Sequence, residues 1–322
     1  MAKIAIHIVF LLLPLAIWSQ SYVGHIGKYP IHLQINTYVD DKDESKGKCD
    51  GYYFYDSKLI NIPLSGVYNK EDVVLVDGYH YFEDSVESAG EVFTLKKKED
   101  QLIGSIKLKE KTHKVVLNKT DKDPLETYRN QKLTFVKDSV STYNDKQLVW
   151  FHEKWSKTQL FRLGNGFSKA QRAVFNPILD EIHLDDAKVM LECNSWFELS
   201  LVINLVNNNF VSFSKFYSVY CGGAHPSHGN NGYNFDLNKL THVDAIETLY
   251  PNVDFFELLK KKYYDAEDIH QQDCEVFTQA SNWEFKTWNL TSKGVMLTPS
   301  YPHAMTPCED AYFLTYKELE KK

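Results

Sequence analysis

The chain has 322 residues and a formal net charge of -7, from 36 Lys and Arg against 43 Asp and Glu. Nucleic-acid binders draw much of their affinity from a basic surface, so this charge argues against a nucleic-acid partner and leaves a cationic protein partner open. A chain of this length exceeds what one hydrophobic core usually organises, which predicts two domains.

The first twenty residues have the pattern of a signal peptide. Lys3 precedes an apolar run over 4–17, and polar residues follow the run. The run is shorter than the roughly 20 residues that cross a bilayer, and Pro14 would interrupt a spanning helix. We therefore predict removal of residues 1–20. The mature protein is expected to lack a membrane anchor and to be exported to the periplasm, the outer surface or the medium.

Residues 21–119 form a series of short strand patterns separated by turn residues. Ile31, Leu33 and Ile35 alternate with polar neighbours, so one face of that strand can be buried. Roughly seven or eight such strands predict a mainly β domain, either a small antiparallel barrel or a curved sheet. The stretch 40–48 is predicted to be a loop because it is too charged to pack.

Four consecutive aromatic residues, Tyr52 to Tyr55, belong to one of these strands. Alternate residues of a strand point to opposite faces, so two of the four rings must point to each face. The two interpretations are the core of a closed barrel and an exposed contact surface for carbohydrate or protein.

The second half of the chain has a different pattern. The polar stretch 120–131, which contains Pro124, is predicted to be a linker. Residues 132–322 predict an α+β domain with an antiparallel sheet and helices, and the first helix is expected to begin after Ser168. A short helix is predicted after Asp244 and a further helix over 253–264. Strands are predicted over 133–140, 196–206, 210–220, 283–290, 295–297 and 311–316.

The five cysteines predict two disulfides, since an exported chain meets an oxidising compartment. If residues 207–209 form the turn of a hairpin, Cys193 falls almost opposite Cys221. That pair is the first prediction. A bond between Cys274 and Cys308 would tie together the last part of the chain, and Cys49 is expected to be a free thiol.

The run Gly222-Gly223-Ala224-His225-Pro226 follows a long strand pattern. Gly222 and Gly223 allow positive φ, Ala224 allows close packing, and Pro226 fixes the direction in which the chain leaves. A structural turn explains these residue types.

Histidines are the candidate metal ligands of the sequence. His225 and His228 are three residues apart and could share an ion, but a third ligand would have to come from His242 or His303. Packed or hydrogen-bonded histidines are the preferred interpretation. No metal and no cofactor is predicted.

Signals for catalysis are weak. Cys221 and His225 could form a nucleophile and base, although an exported cysteine opposite another across a hairpin favours a disulfide. The sequence contains no Gly-x-Ser-x-Gly, His-Glu-x-x-His, P-loop or dinucleotide motif. Four acidic residues could supply the carboxylate pair of a glycosidase, but a solvated helix face is the simpler interpretation: Asp180, Glu181, Asp185 and Asp186.

The run 217–226 resembles part of the extracellular domain of unknown function shared by the lysozyme-sensing anti-sigma factor RsiV and the peptidoglycan deacetylase PdaC. Segments 233–237, 283–297 and 300–304 are similar to later parts of that domain. The N-terminal half resembles, more loosely, a small β module of exported Bacteroidetes proteins. The resemblance implies recognition of a lysozyme-like protein or of cell-wall glycan.

We therefore expect an exported cell-envelope binding protein, and binding is the preferred interpretation over catalysis. An envelope hydrolase acting on glycan and a structural or assembly partner are the alternatives. The candidate binding residues are His225, His228, Tyr233, Trp288, Tyr301 and His303.

Overall fold

The structure is a computed structural model that describes residues 18–40, 43–81, 85–121, 128–193, 196–222 and 225–320. The chain divides into two compact units, Met1–Lys132 and Leu133–Lys322. Residues 1–17 of the predicted signal peptide and 122–127 of the predicted linker lie outside the described residues. The last three residues of the predicted signal peptide, 18–20, belong to the first strand of the barrel. Among the described helices, none is long and apolar enough to cross a membrane.

The first unit is a closed barrel in which each strand pairs with the next and the last pairs with the first. This confirms the predicted small antiparallel barrel. The strands are β1 (Trp18–Ile26), β2 (Tyr29–Asp40), β3 (Asp43–Tyr55), β4 (Ile62–Asn69), β5 (Asp72–Asp77), β6 (Glu91–Lys98), β7 (Gln101–Leu108) and β8 (Lys111–Thr120). A short helix, α1 (Ser85–Ser88), lies between β5 and β6, and α2 (Asn130–Lys132) follows β8.

The charged stretch 40–48 is not the predicted loop, because β3 begins at Asp43. Lys46 pairs with Asn69 of β4 and Lys48 with Tyr38 of β2, so the backbone is held in ladders on both sides. The charges did not prevent pairing, since the side chains of Lys46 and Lys48 are exposed.

The aromatic run of β3 has one fully buried ring on each face of the strand, whereas Tyr52 and Tyr55 are half-buried. Tyr53 is fully buried in the barrel core, where its ring contacts Phe93 edge to face at 5.2 Å and its hydroxyl donates to Glu91. Phe54 is also fully buried, outside that core, and stacks on His32 at 4.9 Å. Tyr128 covers the other face of His32, with 4.2 Å between ring centroids.

The second unit contains three antiparallel sheets and is the predicted α+β domain. The first sheet holds β9 (Phe135–Tyr143), β10 (Lys146–Glu153) and β11 (Gln159–Leu163), and the second holds β12 (Trp196–Val206), β13 (Phe210–Tyr220), β14 (Ser227–Asp236) and β15 (Thr241–His242). The third holds β16 (Thr287–Leu290), β17 (Gly294–Thr298) and β18 (Tyr312–Thr315). The helices are α3 (Lys169–Glu192), α4 (Phe255–Tyr263), α5 (Ile269–Asp273) and α6 (Tyr316–Leu319), with 3-10 helices at Ile246–Thr248, Ala280–Trp283 and His303–Cys308.

Helix α3 begins at the position that the sequence predicts. The Ser168 hydroxyl accepts from the backbone N–H of Gln171, and the Gln171 side chain accepts from the backbone N–H of Ser168. The apolar side of the helix packs Phe175 and Leu179 against the first two sheets. Phe175 stacks on Phe235 of β14 at 4.7 Å, which joins the helix to the second sheet.

The acidic residues of α3 do not form a solvated face throughout, so that interpretation was wrong for one of them. Asp186 is buried and accepts from Lys215 of β13 at 2.6 Å, and burial raises the pKa of its carboxyl. Asp180 pairs with Arg162 of β11 at 2.5 Å. These carboxylates connect the helix to two sheets.

Both predicted disulfides are present. Cys193 is bonded to Cys221 and Cys274 to Cys308, and Cys49 is a buried free thiol in the barrel. The hairpin register explains the first bond, because Trp196 of β12 pairs with Tyr220 of β13 and the two cysteines follow beyond that pair.

Neutral His183 couples the stability of the second unit to pH. Burial lowers its pKa from 6.5 to about 4, and its Nε2 lies 2.8 Å from the Thr158 carbonyl oxygen. Because the folded pKa is depressed, its contribution is complete above pH 6.5 and is lost as the pH falls towards 4. We expect the free energy of unfolding to fall between pH 7 and pH 4 by about 3 kcal/mol more in the wild type than in His183→Gln.

The measurement is urea unfolding followed by tryptophan fluorescence, which reports mainly on the second unit because most of the tryptophans lie there. His25→Gln, at an exposed barrel position, is the control. The same pH dependence in wild type and His183→Gln would contradict the assignment.

Candidate ligand-binding cleft

A cleft of about 340 Å³ lies in the second unit, beside the first half of β14. The segment that follows β17 forms its other wall. Side chains with hydrogen-bonding groups dominate the lining, together with one exposed aromatic ring. The lining residues are His225, Pro226, Ser227, His228, Gly229, Asn230, Asn231, Phe285, Thr287, Thr298, Pro299, Ser300, Tyr301 and Glu309.

Strand β14 is paired along one edge and largely open along the other. It pairs with β13 from Ser227 to Asp236, whereas its ladder with β15 covers only Phe235 and Asp236. Among the described residues, no strand therefore pairs with the other edge of 227–232. An open edge presents backbone donors and acceptors. The Thr287 hydroxyl uses one of them by donating to the Asn230 carbonyl oxygen at 2.6 Å.

Buried side-chain amides attach the third sheet to this edge. The Asn234 side chain donates to the Trp288 carbonyl oxygen at 3.0 Å and accepts from the Ser212 hydroxyl at 2.7 Å. The backbone N–H of Leu290 donates to Ser212 Oγ and to Asn234 Oδ1. Asn289 donates to the Phe213 carbonyl oxygen at 2.8 Å. Side chains thus provide the hydrogen bonds that a continuous ladder would otherwise provide.

Gly232 is required for this attachment. A Cβ at this position would lie 2.1 Å from the Trp288 carbonyl oxygen, so any side chain would force β14 and β16 apart. The glycine therefore sets the distance between the second and third sheets, and with it the depth of the cleft.

Glu309 organises the far wall of the cleft. Its Oε1 accepts from the backbone N–H of Tyr301 at 3.1 Å, and its Oε2 lies 3.5 Å from His228 Nε2. The Cys274–Cys308 disulfide holds the preceding residue, and the Tyr301 hydroxyl donates to the Cys274 carbonyl oxygen at 2.9 Å. The wall is therefore fixed by a covalent bond and by hydrogen bonds.

Phe285 provides an apolar surface at the cleft. Its side chain is 77% exposed, the largest exposure among the large apolar residues that the structure describes. A ring at this exposure contributes little to the core and leaves a face open to a ligand.

The candidate binding residues of the sequence fall into three groups. His225, His228 and Tyr301 line the cleft. Tyr233 stacks on a core phenylalanine, and Trp288 is buried with its Nε1 donating to the Asp244 carbonyl oxygen, so neither lines the cleft. Both lie on the side of their strands that packs into the interior. The side chain of the sixth candidate, His303, lies outside the described residues.

The predicted turn is described in part. Gly222 has φ of 91°, the left-handed conformation expected from its sequence, and Pro226 lies directly before β14. Gly223 and Ala224 lie outside the described residues.

The sequence did not predict several polar and aromatic residues of the cleft, among them Asn230, Asn231, Phe285 and Glu309. The segment His228-Gly229-Asn230-Asn231-Gly232 has the composition of a loop, so strand β14 gave no recognisable pattern. Phe285 was assigned to a strand over 283–290, but β16 begins only at Thr287.

The catalytic alternatives of the sequence can be compared with the groups that line the cleft. Among the residues that line the cleft, Glu309 is the one carboxylate, whereas glycoside hydrolysis generally uses two. Cys221 is bonded to Cys193 and is therefore not a nucleophile for His225. Within the described residues, no group of three or more His, Cys, Asp or Glu is placed to hold a metal ion.

No family model and no curated protein matches the sequence. Among solved structures, a DUF3298 family protein from Pseudomonas aeruginosa PAO1 is a weak structural neighbour. The two chains are 12% identical with a TM-score of 0.33, over 58% of this chain and 91% of that chain. A similarity of this strength defines neither the family nor the function of this chain.

Replacement of Asn234 by Ala is expected to destabilise the second unit by about 3 kcal/mol, because it leaves several buried donors and acceptors without partners. Asn238→Ala, which removes an exposed amide in the turn between β14 and β15, should cost less than about 1 kcal/mol. Urea unfolding followed by tryptophan fluorescence measures both. Equal effects of the two variants would contradict the role given to Asn234.

Proposed function

We propose that this protein is an exported binding protein of the cell envelope whose cleft beside β14 holds an N-acetylated glycan segment. The observation that carries the proposal is the combination, in one cleft, of an open strand edge, two asparagine side chains and the exposed ring of Phe285. The proposal is a binding function, since the cleft lacks the carboxylate pair of a glycosidase.

The chemistry of the cleft suits this class of ligand. A sugar acetamide carries one N–H and one carbonyl, the same groups as a peptide unit, so an open strand edge can pair with it. Asn230 and Asn231 add side-chain amides that donate to and accept from hydroxyl groups. The apolar face of a sugar ring can pack on the ring of Phe285. This contact buries apolar area without the entropic cost of ordering a long, flexible side chain.

Export is supported by the two disulfides, which are typical of proteins that fold in an oxidising compartment. The predicted signal peptide agrees with this. We place the protein in the periplasm, at the outer surface or in the medium. The resemblance to the RsiV and PdaC domain supports an envelope ligand, because it implies recognition of the wall or of enzymes that act on it.

The test is a calorimetric titration of the purified protein with N-acetylglucosamine oligosaccharides. We expect saturable binding that weakens about tenfold in Phe285→Ala, through the loss of ring contact, and about tenfold in Asn231→Ala. Tyr264→Ala is the matched control, because Tyr264 is exposed but does not line the cleft. It should bind as the wild type does.

De-N-acetylated oligosaccharides of the same length separate recognition of the acetamide from general sugar contact. They should bind at least tenfold more weakly. No heat with the acetylated series, or equal affinity of Phe285→Ala and wild type, would reject the proposed ligand.

A cationic protein such as a lysozyme is the second candidate partner, favoured by the net charge of -7 and by the resemblance. Such binding should weaken when the salt concentration is raised, because screening shortens the range of attraction between exposed charges. Titration with lysozyme at low and physiological salt compares the two conditions. Heat with lysozyme and none with the oligosaccharides would move the assignment to the protein partner.

A further inference from the structure

The barrel contains a separate pocket of about 230 Å³ at one mouth. This mouth lies at the end of the barrel where β4 turns into β5 and β6 turns into β7. Most of the pocket wall is apolar, and polar groups are concentrated at its rim. The lining residues are Tyr22, Ile35, Thr37, Val39, Cys49, Tyr68, Lys70, Val73, Lys97 and Leu102, together with Gln20, the last residue of the predicted signal peptide.

The strand register places these residues on the inward face of the barrel. Thr37 pairs with Cys49, Tyr68 with Val73, and Lys97 with Leu102, and residues that pair directly share a face. Cys49, Val73 and Leu102 are each less than 9% exposed. The pocket is therefore the part of the barrel interior next to this mouth, and not a groove between surface loops.

The rest of the interior is filled. Leu64, Leu75, Phe93 and Ile106 lie deeper along the same inward positions and are at most 1% exposed. An eight-stranded barrel encloses a space that side chains either fill or leave open for one small ligand. Here the side chains fill one end and leave the other end open.

Two lysines stand at the rim of this apolar pocket. Neither Lys70 nor Lys97 forms an ion pair with a carboxylate in the part of the chain that the structure describes. Lys96, the neighbour of Lys97 on the outward face, is by contrast 3.6 Å from Asp72. Carboxylates also lie near this mouth: burial and Asp100 raise the pKa of Tyr22, and burial, Cys49, Asp40 and Asp43 raise that of Tyr68. Within the described residues, no ion pair joins these carboxylates to Lys70 or Lys97, so the two ammonium groups can contact an anion that enters the pocket.

We propose that the barrel mouth binds a small amphipathic carboxylate, with its hydrocarbon chain among Val73, Leu102 and Ile35 and its carboxylate at Lys70 and Lys97. The volume agrees with this class of ligand. A dry apolar cavity of about 150 Å³ holds benzene, and drug-sized ligands need roughly 300 Å³ or more. The pocket lies between these sizes, which suits a single chain of about eight carbons.

This site is independent of the glycan cleft, which lies in the other unit. Its ligand is a free carboxylate in solution and not the acyl chain of a membrane lipid. The pocket has room for one short chain, whereas a phospholipid carries two longer chains.

The probe is sodium octanoate, titrated into the full-length protein by calorimetry. We expect saturable binding with one site. Butyrate should bind roughly a hundredfold more weakly because four methylene groups are missing. Octanol should bind about tenfold more weakly than octanoate, because it has the same chain without the charge.

Two sets of variants separate the chain from the charge. Lys70→Gln with Lys97→Gln should weaken octanoate about tenfold and leave octanol unchanged. Lys96→Gln with Lys98→Gln removes two outward-facing charges next to them and should leave both ligands unchanged. Val73→Phe should abolish binding of both ligands by filling the pocket, with circular dichroism as the check on folding.

Protection of the Cys49 thiol from a chemical reagent tests the proposal in the wild-type protein, without any substitution. Cys49 lines the pocket, so octanoate should slow the reaction of its thiol with a small methanethiosulfonate reagent, and butyrate at the same concentration should not. No heat with octanoate and no protection of Cys49 would overturn the proposal. Binding to vesicles of anionic phospholipid without binding of free octanoate would overturn it as well.

Discussion

The second unit depends on one buried hydrogen-bond network, in which Asn234 and Ser212 connect β14 to the backbone of β16. Two backbone groups of β16, the Trp288 carbonyl and the Leu290 N–H, would otherwise be buried without partners, which costs about 1–3 kcal/mol each. Side chains satisfy these groups at a point where the two sheets do not form a ladder. Because the sheets meet at Gly232 and Asn234, the first half of β14 stays open, and the cleft exists there.

The same network explains why some of the candidate binding residues line the cleft and others are buried in the interior. Trp288 and Tyr233 occupy strand positions whose side chains pack into the cores on either side of the junction. His228 and Tyr301 lie beyond it and are held by Glu309, both of whose carboxylate oxygens have partners in the wall. A carboxylate that is engaged in this way stabilises the wall and is poorly placed to act as a general acid.

Much of the fold could be predicted from the sequence, because its signals are local. Period-two alternation gave the barrel, the Ser168 cap gave the start of α3, and a three-residue turn set the register that places Cys193 near Cys221. The environment of Asp186 could not be predicted, because Lys215 comes from a distant strand. Strand β14 was also missed. Its Asn and Gly residues resemble a turn, and only pairing with β13 makes them a strand.

The two proposed sites share one feature of β structure. Each lies where a sheet or barrel is left open, either because inward side chains do not fill the interior or because no described strand pairs with an edge. In the barrel, every second residue of a strand points inward, so the size of each inward side chain decides whether the interior is filled at that height. Phe93 fills the interior, whereas the space beside Cys49 is open. In the second unit, an edge is open because the neighbouring sheet approaches only at Gly232. The strands of both sites are held in place by hydrogen bonds to neighbouring strands. Both sites are therefore largely formed before a ligand binds. Binding to such preformed sites requires little ordering of the protein, which favours recognition with small conformational change.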